Sequence, residues 1–588
     1  MIRTFLLTLV AASFPFAAAA TAPAWVAESD ANAQVLLDVV ARFSPESAAQ
    51  IGVEGHDQEV TDLGPKIYQR RRDAGLKALK ELQSRLGAAK DPAVRQDLEI
   101  MIQSTQENLE TDRLHDEMLV PYYAVSRMVF GGIRSLLDPR ITPERQAHAV
   151  TRLRRYAGLE PGSKPIAQLA RERTEEKFGK AGLGKKGLLP PFKGELEQNL
   201  SDTPRLIAGI RDLFTKSGLK GWEEPLAALE KQLNDYDGWV RDKLLPVARS
   251  DARLPLALYA DSLKQFGVDV PPDVLKQRAL VAFIEIQNQM QALAPQVARE
   301  KKLKITDYRG VMKELKKNQV TGNAIMPLYH KRLEQIEAII RRENIVTLPD
   351  RKASIRLASE AESAMQPAPN MRPPRLIGNT GEYGEFVLPL TVPGKDGKAG
   401  LKMDDFTHES SAWTLTAHEA RPGHELQFSA MVEKGMSIAR AVFAFNSVNV
   451  EGWGLYSEAE MQPYEPLDGQ LFALQNRLLR AGRAYLDPMV NLGEITPEQV
   501  KEVLMTDVGL SEGMAQQEVD RYTFRAPGQA TSYFYGYQRL METRERAQLA
   551  LRDKFVRKDF NDFVLAQGLL PPALLQKAVM EEFVAGRR

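Results

Sequence analysis

Apolar residues recur at helical spacing through most of this chain, and that period leaves little room for a sheet-based fold. In DPAVRQDLEIMIQSTQENLE (residues 91–110), Asp91 is placed to cap and Pro92 suits a first helical position. Val94, Leu98, Met101, Ile102, Thr105 and Leu109 then follow one face. The same pattern predicts helices over residues 68–86, 143–156, 164–177, 225–245, 272–300 and 326–342. There is no internal repeat and no low-complexity tract. With 588 residues, 43% of them hydrophobic, a large helical core is within reach, and the expected fold class is mainly α.

One stretch breaks the pattern. Residues 366–400 are rich in proline and glycine and carry one candidate strand, Phe386–Val392. Pro389 inside it argues for an edge position, because proline cannot donate to a ladder. Gly394–Gly397 then reads as a turn. The stretch is either a plain linker or a small β edge element beside a cleft, to which an extended peptide could add.

The N-terminus, MIRTFLLTLVAASFPFAAAATAPAW, has a positive Arg3, an apolar run and a small-residue site at Ala18–Ala20. That is the pattern of a signal peptide over residues 1–20, with a membrane anchor as the competing reading. No later run has the roughly 20 apolar residues of a spanning helix, so stable membrane insertion after signal removal is not expected. The formal net charge of +1 gives nucleic-acid binding no electrostatic support. Cysteine is absent, which excludes disulfides and thiolate metal sites and fits a periplasmic address for an exported protein.

Three of the seven histidines, His408, His418 and His424, crowd into one short region. The stretch Ala417–Glu425, AHEARPGHE, looks like His-Glu-x-x-His with the wrong spacing. On a regular helix, side chains six residues apart point about 120° from each other and stand roughly 9 Å apart along the axis. Two nitrogens on one zinc must approach to roughly 3.3 Å. Pro422 clashes with the carbonyl of residue i−4, which is His418, and Gly423 permits unusual angles. The expectation is geometric: the helix carrying His418 breaks before His424, and a third ligand faces both. Glu451 and Glu458, in VEGWGLYSE, share a helix face; one could bind metal while the other orients a neighbour, and Glu451 is the better ligand. Glu419 stands where zinc peptidases carry the general base.

Downstream, residues 521–546 read RYTFRAPGQATSYFYGYQRLMETRER. Tyr533, Tyr535 and Tyr537 could face a site or pack in the core, and Arg521 or Arg525 could bind a carboxylate bidentately. Gly509–Gly513 matches the nucleophile elbow Gly-x-Ser-x-Gly, but what precedes it reads as a helix. Thr496, Pro497 and Gln499 form a helix start, so Ser511 is expected to cap the next helix.

HEARPGHELQ, VEGWGLYSE and PGQATSYFYG, in that order, resemble the bacterial family DUF885, over about residues 375–550. The resemblance implies a zincin-like metallopeptidase architecture in which His418, His424 and Glu451 bind Zn²⁺ and Glu419 is the catalytic base. Glu-Gly-Trp-x-x-Tyr also looks like the Glu-Gly-Phe-Ala ligand segment of gluzincin aminopeptidases, which favours Glu451 over Glu458. The tyrosine-rich segment is similar to one that faces zinc in helical peptidases of the neurolysin type; it implies Tyr533 as the oxyanion donor. Arg521 and Tyr537 are the expected substrate contacts. One departure is Glu425, where many members have a second histidine. The expected organisation is a signal peptide at 1–20, a helical region at 21–365 and a zincin-like catalytic region at 366–588. The expected function is zinc-dependent hydrolysis of peptide bonds in short peptides. The alternative is a non-catalytic, metal-containing peptide-binding protein.

Overall fold

Helix dominates the computed structural model, which describes residues 23–178, 187–379, 381–389, 401 and 403–587. The signal-peptide segment and the Gly394–Gly397 turn lie outside the described residues. Several helix starts fall where side-chain chemistry puts them. The Asp91 carboxylate accepts from the N–H groups of Ala93 and Val94, and the helix runs Pro92–Met118. The helix opened by Pro272 spans Pro272–Glu300, as its period predicts. Thr496 and Gln499 form a reciprocal capping box, and Ser511 accepts from Met514 N–H at the start of the next helix. Ser511 is therefore a cap between two helices and not a nucleophile on an elbow. The helix expected to reach residue 245 ends earlier, at Trp239, and passes through a π-turn over Val240–Leu244. Pro246 explains the change, since it cannot extend a regular helix.

The β element is a three-stranded sheet of β1 (Ser354–Leu357), β2 (Asn370–Arg372) and β3 (Glu385–Leu388). The strand order is β1-β3-β2, with β1 parallel and β2 antiparallel to β3. This corrects the expected edge strand. The segment beginning at Phe386 is central, and Pro389 falls just beyond the last paired residue, where it ends the strand. Phe386, Val387 and Leu388 are all buried, as a strand covered on both faces requires.

The largest apolar cluster joins the sheet to the region of the histidines: Phe386, Ala412, Ala420, Phe472 and Tyr535 all belong to it. Helices Pro272–Glu300 and Leu467–Asn491 pack side by side, with Phe283 edge-on to Tyr485 at 5.4 Å. Helices Ser447–Met461 and Ser532–Leu551 approach so closely that a Cβ on Gly452 would lie 2.6 Å from the carbonyl carbon of Gly536. That contact sets the carboxylate helix directly against the tyrosine helix. Among the described residues, no helix is long and apolar enough to cross a membrane.

Candidate metal centre

The helix Ser411–Glu419 stops one residue past His418, and a new helix, His424–Glu433, begins at the second histidine. The break is therefore where the Pro-Gly pair requires it. A Cβ on Gly423 would sit 1.8 Å from the carbonyl oxygen of His418, so no larger residue fits this turn. The turn is held from both sides. Trp453 Nε1 donates to the Pro422 carbonyl at 2.9 Å. Arg421, fully buried, donates to Glu425 at 3.0 Å and to the Arg351 carbonyl at 2.9 Å. Arg351 donates to the other Glu425 oxygen at 2.6 Å. Glu425, the departure from the family pattern, is thus a buried counter-ion that clamps the break.

The result brings His418 and His424 together, with ring centres 4.6 Å apart and planes at 82°. Glu451, on helix Ser447–Met461, meets both: its Oε2 lies 3.5 Å from His418 Nε2 and 3.3 Å from His424 Nε2. One ligand atom from each of the three lies within 4.8 Å of the others. Contacts of about 3.3 Å are the edges of a tetrahedron around an ion with bonds near 2.0–2.1 Å. Among the described residues Glu451 Oε2 is buried without a hydrogen-bond donor, while Gln529 donates to Oε1 at 3.3 Å. An orphaned carboxylate oxygen aimed at two imidazole nitrogens is what a His₂Glu ligand set leaves behind, so these residues fit a divalent ion of the zinc type.

The surroundings orient the set. His418 Nδ1 lies 2.7 Å from Glu458 Oε1; Thr414 donates to Glu458 Oε2 at 2.6 Å and Arg480 to Oε1 at 3.0 Å. Of the two glutamates, then, Glu451 faces the histidine pair and Glu458 holds a ring from behind. Gly454 gives that ring its space, since a Cβ there would lie 2.6 Å from His418 Cε1. Burial depresses the His418 imidazole, but Glu451 and Glu458 outweigh it and push it up to about 9. Burial raises Glu451, but the two imidazoles that face it, His418 and His424, carry it well below the usual carboxylate range. Glu419 goes the other way: burial pushes it up, and the nearby histidines offset this only in part. Among the described residues it makes no side-chain hydrogen bond or ion pair, and it lines a cavity with His418, Arg480 and Tyr533.

The other predicted residues divide. The Tyr533 ring stacks 6.0 Å from that of His418, at 18°, with Arg483 over it at 4.4 Å and Arg521 at 5.9 Å. Arg521 and Tyr533 line both this cavity and a larger one of about 480 Å³ that also reaches Glu451. Tyr537 is not brought there. It lies one helical turn on, packed on the C-terminal apolar cluster under Arg477, and it is not among the residues lining either cavity. Tyr535 is buried in the core and bonded to Asp269. His408 also stays apart, edge-on to Phe472 at 4.4 Å, and burial holds it down at about 4. The reading of the sequence missed Arg480 and Arg483. Their signal was present as two arginines three apart in the apolar run LLRAGRAYL, hence on one face of a buried helix. Gln529 was also missed, although it lies inside the PGQAT segment.

Fold and site together define a mainly helical protein built around a buried cluster of two histidines and a carboxylate at metal-holding spacing. The chain belongs to the DUF885 family, described as bacterial proteins of unknown function, whose model matches residues 45–579. No curated protein matches it. Among solved structures it is similar to "the putative lipoprotein from Colwellia psychrerythraea", with 19% identity, TM-score 0.71, and 95% of this chain and 99% of that one covered. It is also similar to "a putative lipoprotein of unknown function from Shewanella oneidensis", with 18% identity, TM-score 0.69, and coverage of 95% and 100%. At these identities the likeness shows a shared fold.

Proposed function

We infer that the chain is an exported zinc-dependent peptidase of zincin-like type, acting on short peptides. The observation that carries this reading is the convergence of His418 Nε2, His424 Nε2 and Glu451 Oε2, with an uncommitted Glu419 lining the cavity beside them. His418, His424 and Glu451 would hold the ion. Bound there, Zn²⁺ would polarise a scissile carbonyl and acidify a water. Glu419 would take the proton of the attacking water and pass it to the leaving amine, a role its burial-raised affinity for protons suits. Tyr533, over the His418 ring, would donate its hydroxyl to the developing oxyanion. Export, with the periplasm as the compartment, is supported by the pattern of residues 1–20 and by the description of the similar structures as lipoproteins.

The test is incubation of the purified chain with short peptides of defined ends, with and without chelator, and mass spectrometry of the products. Cleavage that chelator stops and added zinc restores is expected. Peptide binding without cleavage, unaffected by chelator, would replace this reading with that of a peptide-capturing protein.

A further inference from the structure

We propose that the larger cavity is a carboxylate subsite and that the chain cuts peptides close to a free C-terminus. This rests on the peptidase reading above and adds the end from which the substrate is read.

The cavity of about 480 Å³ is lined by three arginines, Arg127, Arg521 and Arg525. Arg127 is spent on structure: it donates to Asp202 at 2.8 Å and to the Met365 carbonyl at 2.9 Å. Arg521 is not. Its acidic neighbour Glu518 is already held by Arg483 at 2.8 and 2.6 Å and by the Tyr522 hydroxyl at 3.0 Å. Arg521 Nη1 is left 3.7 Å from Glu518, buried, with no hydrogen-bond partner among the described residues. Arg525 donates to the neutral Gln517 at 2.7 Å and stands 3.9 Å from Asp520. Both arginines lie on the π-turn Arg521–Arg525, closed by an Ala526 N–H to Arg521 carbonyl bond of 3.0 Å. Such a turn is a frequent companion of functional sites. Glu195 and Glu451 line the same cavity and offset part of this charge. Burial pushes Glu195 up to about 7 against the fields of Arg249 and Arg127, which weakens its share.

An under-committed guanidinium lining a cavity suits a planar anion, taken through two parallel hydrogen bonds. Its place relative to the metal cluster limits which anion. Arg521 Cζ is 5.9 Å from the Tyr533 ring centre, and that ring is 6.0 Å from the His418 ring. An extended residue spans about 3.3–3.6 Å. A carboxylate on Arg521 therefore belongs to a residue one to three positions past a bond held at the cluster. The cavity has the size of a small-ligand pocket, which suits a chain that ends there.

The experiment compares matched pentapeptides that differ only in a free C-terminal carboxylate or a C-terminal amide, using the full zinc-loaded chain. Expected is a preference for the free acid in kcat/KM of roughly ten- to hundredfold, with products released from the C-terminal end. Arg521→Gln should erase most of that preference and Arg521→Lys should keep part of it. Arg525→Gln serves if the Arg521 variants fail to fold. Equal cleavage of acid and amide overturns the subsite and leaves hydrolysis standing. Cleavage of neither form fails the peptidase reading. The subsite is then judged by calorimetric titration of both peptides into the zinc-loaded Glu419→Gln protein. Tighter binding of the free acid supports it; equal binding, or none, overturns it.

Discussion

His418 Nδ1 stands 2.7 Å from Glu458 Oε1 and so leaves Nε2 as the nitrogen that faces Glu451. Burial alone would raise the Glu458 carboxyl, but Arg480 and His418 hold it below its ordinary range, so it is an anion that accepts from the ring. The ring's tilt is thereby fixed, and once Nε2 is given to an ion the remaining proton belongs on Nδ1, facing Glu458. Glu458→Gln keeps a hydrogen-bonding oxygen and loses the charge. It should weaken zinc binding by roughly 10- to 100-fold, the usual cost of removing such a partner. Competition with a chromophoric chelator measures this, and an unchanged affinity would detach Glu458 from the site.

Gly454 tests the same ring sterically. A Cβ there would approach His418 Cε1 to 2.6 Å and both ring nitrogens to 2.9 Å. The ring cannot swing aside freely, because Glu458 anchors one nitrogen and Glu451 faces the other. Gly454→Ala should cost on the order of 1–3 kcal/mol of stability through overpacking. It should also lower zinc stoichiometry in a protein that keeps its helical circular dichroism. Full zinc content with wild-type stability would show that the ring has room to move.

Glu419→Gln separates chemistry from binding. Glu419 lines the cavity beside His418 and makes no ion pair among the described residues, so its loss should not disturb the ligands. Turnover should fall by about 10²–10⁴, the range for a general base, while zinc content by elemental analysis stays at the wild-type level. Activity within a few-fold of wild type would take the base role from Glu419.

Most of the convergence of His418, His424 and Glu451 was legible in the sequence because its constraints are local. Pro422 and Gly423 dictate a break, and Glu451 and Glu458 lie seven apart on one helix face. What holds the cluster was not legible, because it comes from distant parts of the chain. Arg480 reaches Glu458 from another helix, Gln529 reaches Glu451 across 78 residues, and Trp453 reaches Pro422 across 31. No period or spacing encodes such meetings. The sheet failed for the opposite reason. Pro389 was a true signal, but a proline just after a strand and one inside an edge strand look alike until the ladder partners are known. Tyr537 shares its helix with Tyr533, but four residues carry it past the cavity to the apolar cluster beyond.

The Arg483–Glu518 pair gives the stability of the site's arginine wall a pH dependence. Burial raises the Glu518 carboxyl, but Arg483 and Arg521 outweigh it and hold it at about 2. The unfolded value is near 4.3. A folded value below the unfolded one means that the anion is worth stability above about pH 4.3, on the order of 2–3 kcal/mol, and that this is lost as pH falls toward 2. Wild type and Glu518→Gln can be compared by urea denaturation at pH 6 and pH 3. At pH 6 the variant should be clearly less stable, since it also leaves Arg483 buried without its counter-ion. At pH 3 the gap should have narrowed by about 1.5–2 kcal/mol, because the wild-type pair is by then losing its advantage over the unfolded chain. A gap that stays constant between the two pH values would mean that Glu518 titrates alike in the folded and unfolded chains. The pair would then not be the source of the acid sensitivity.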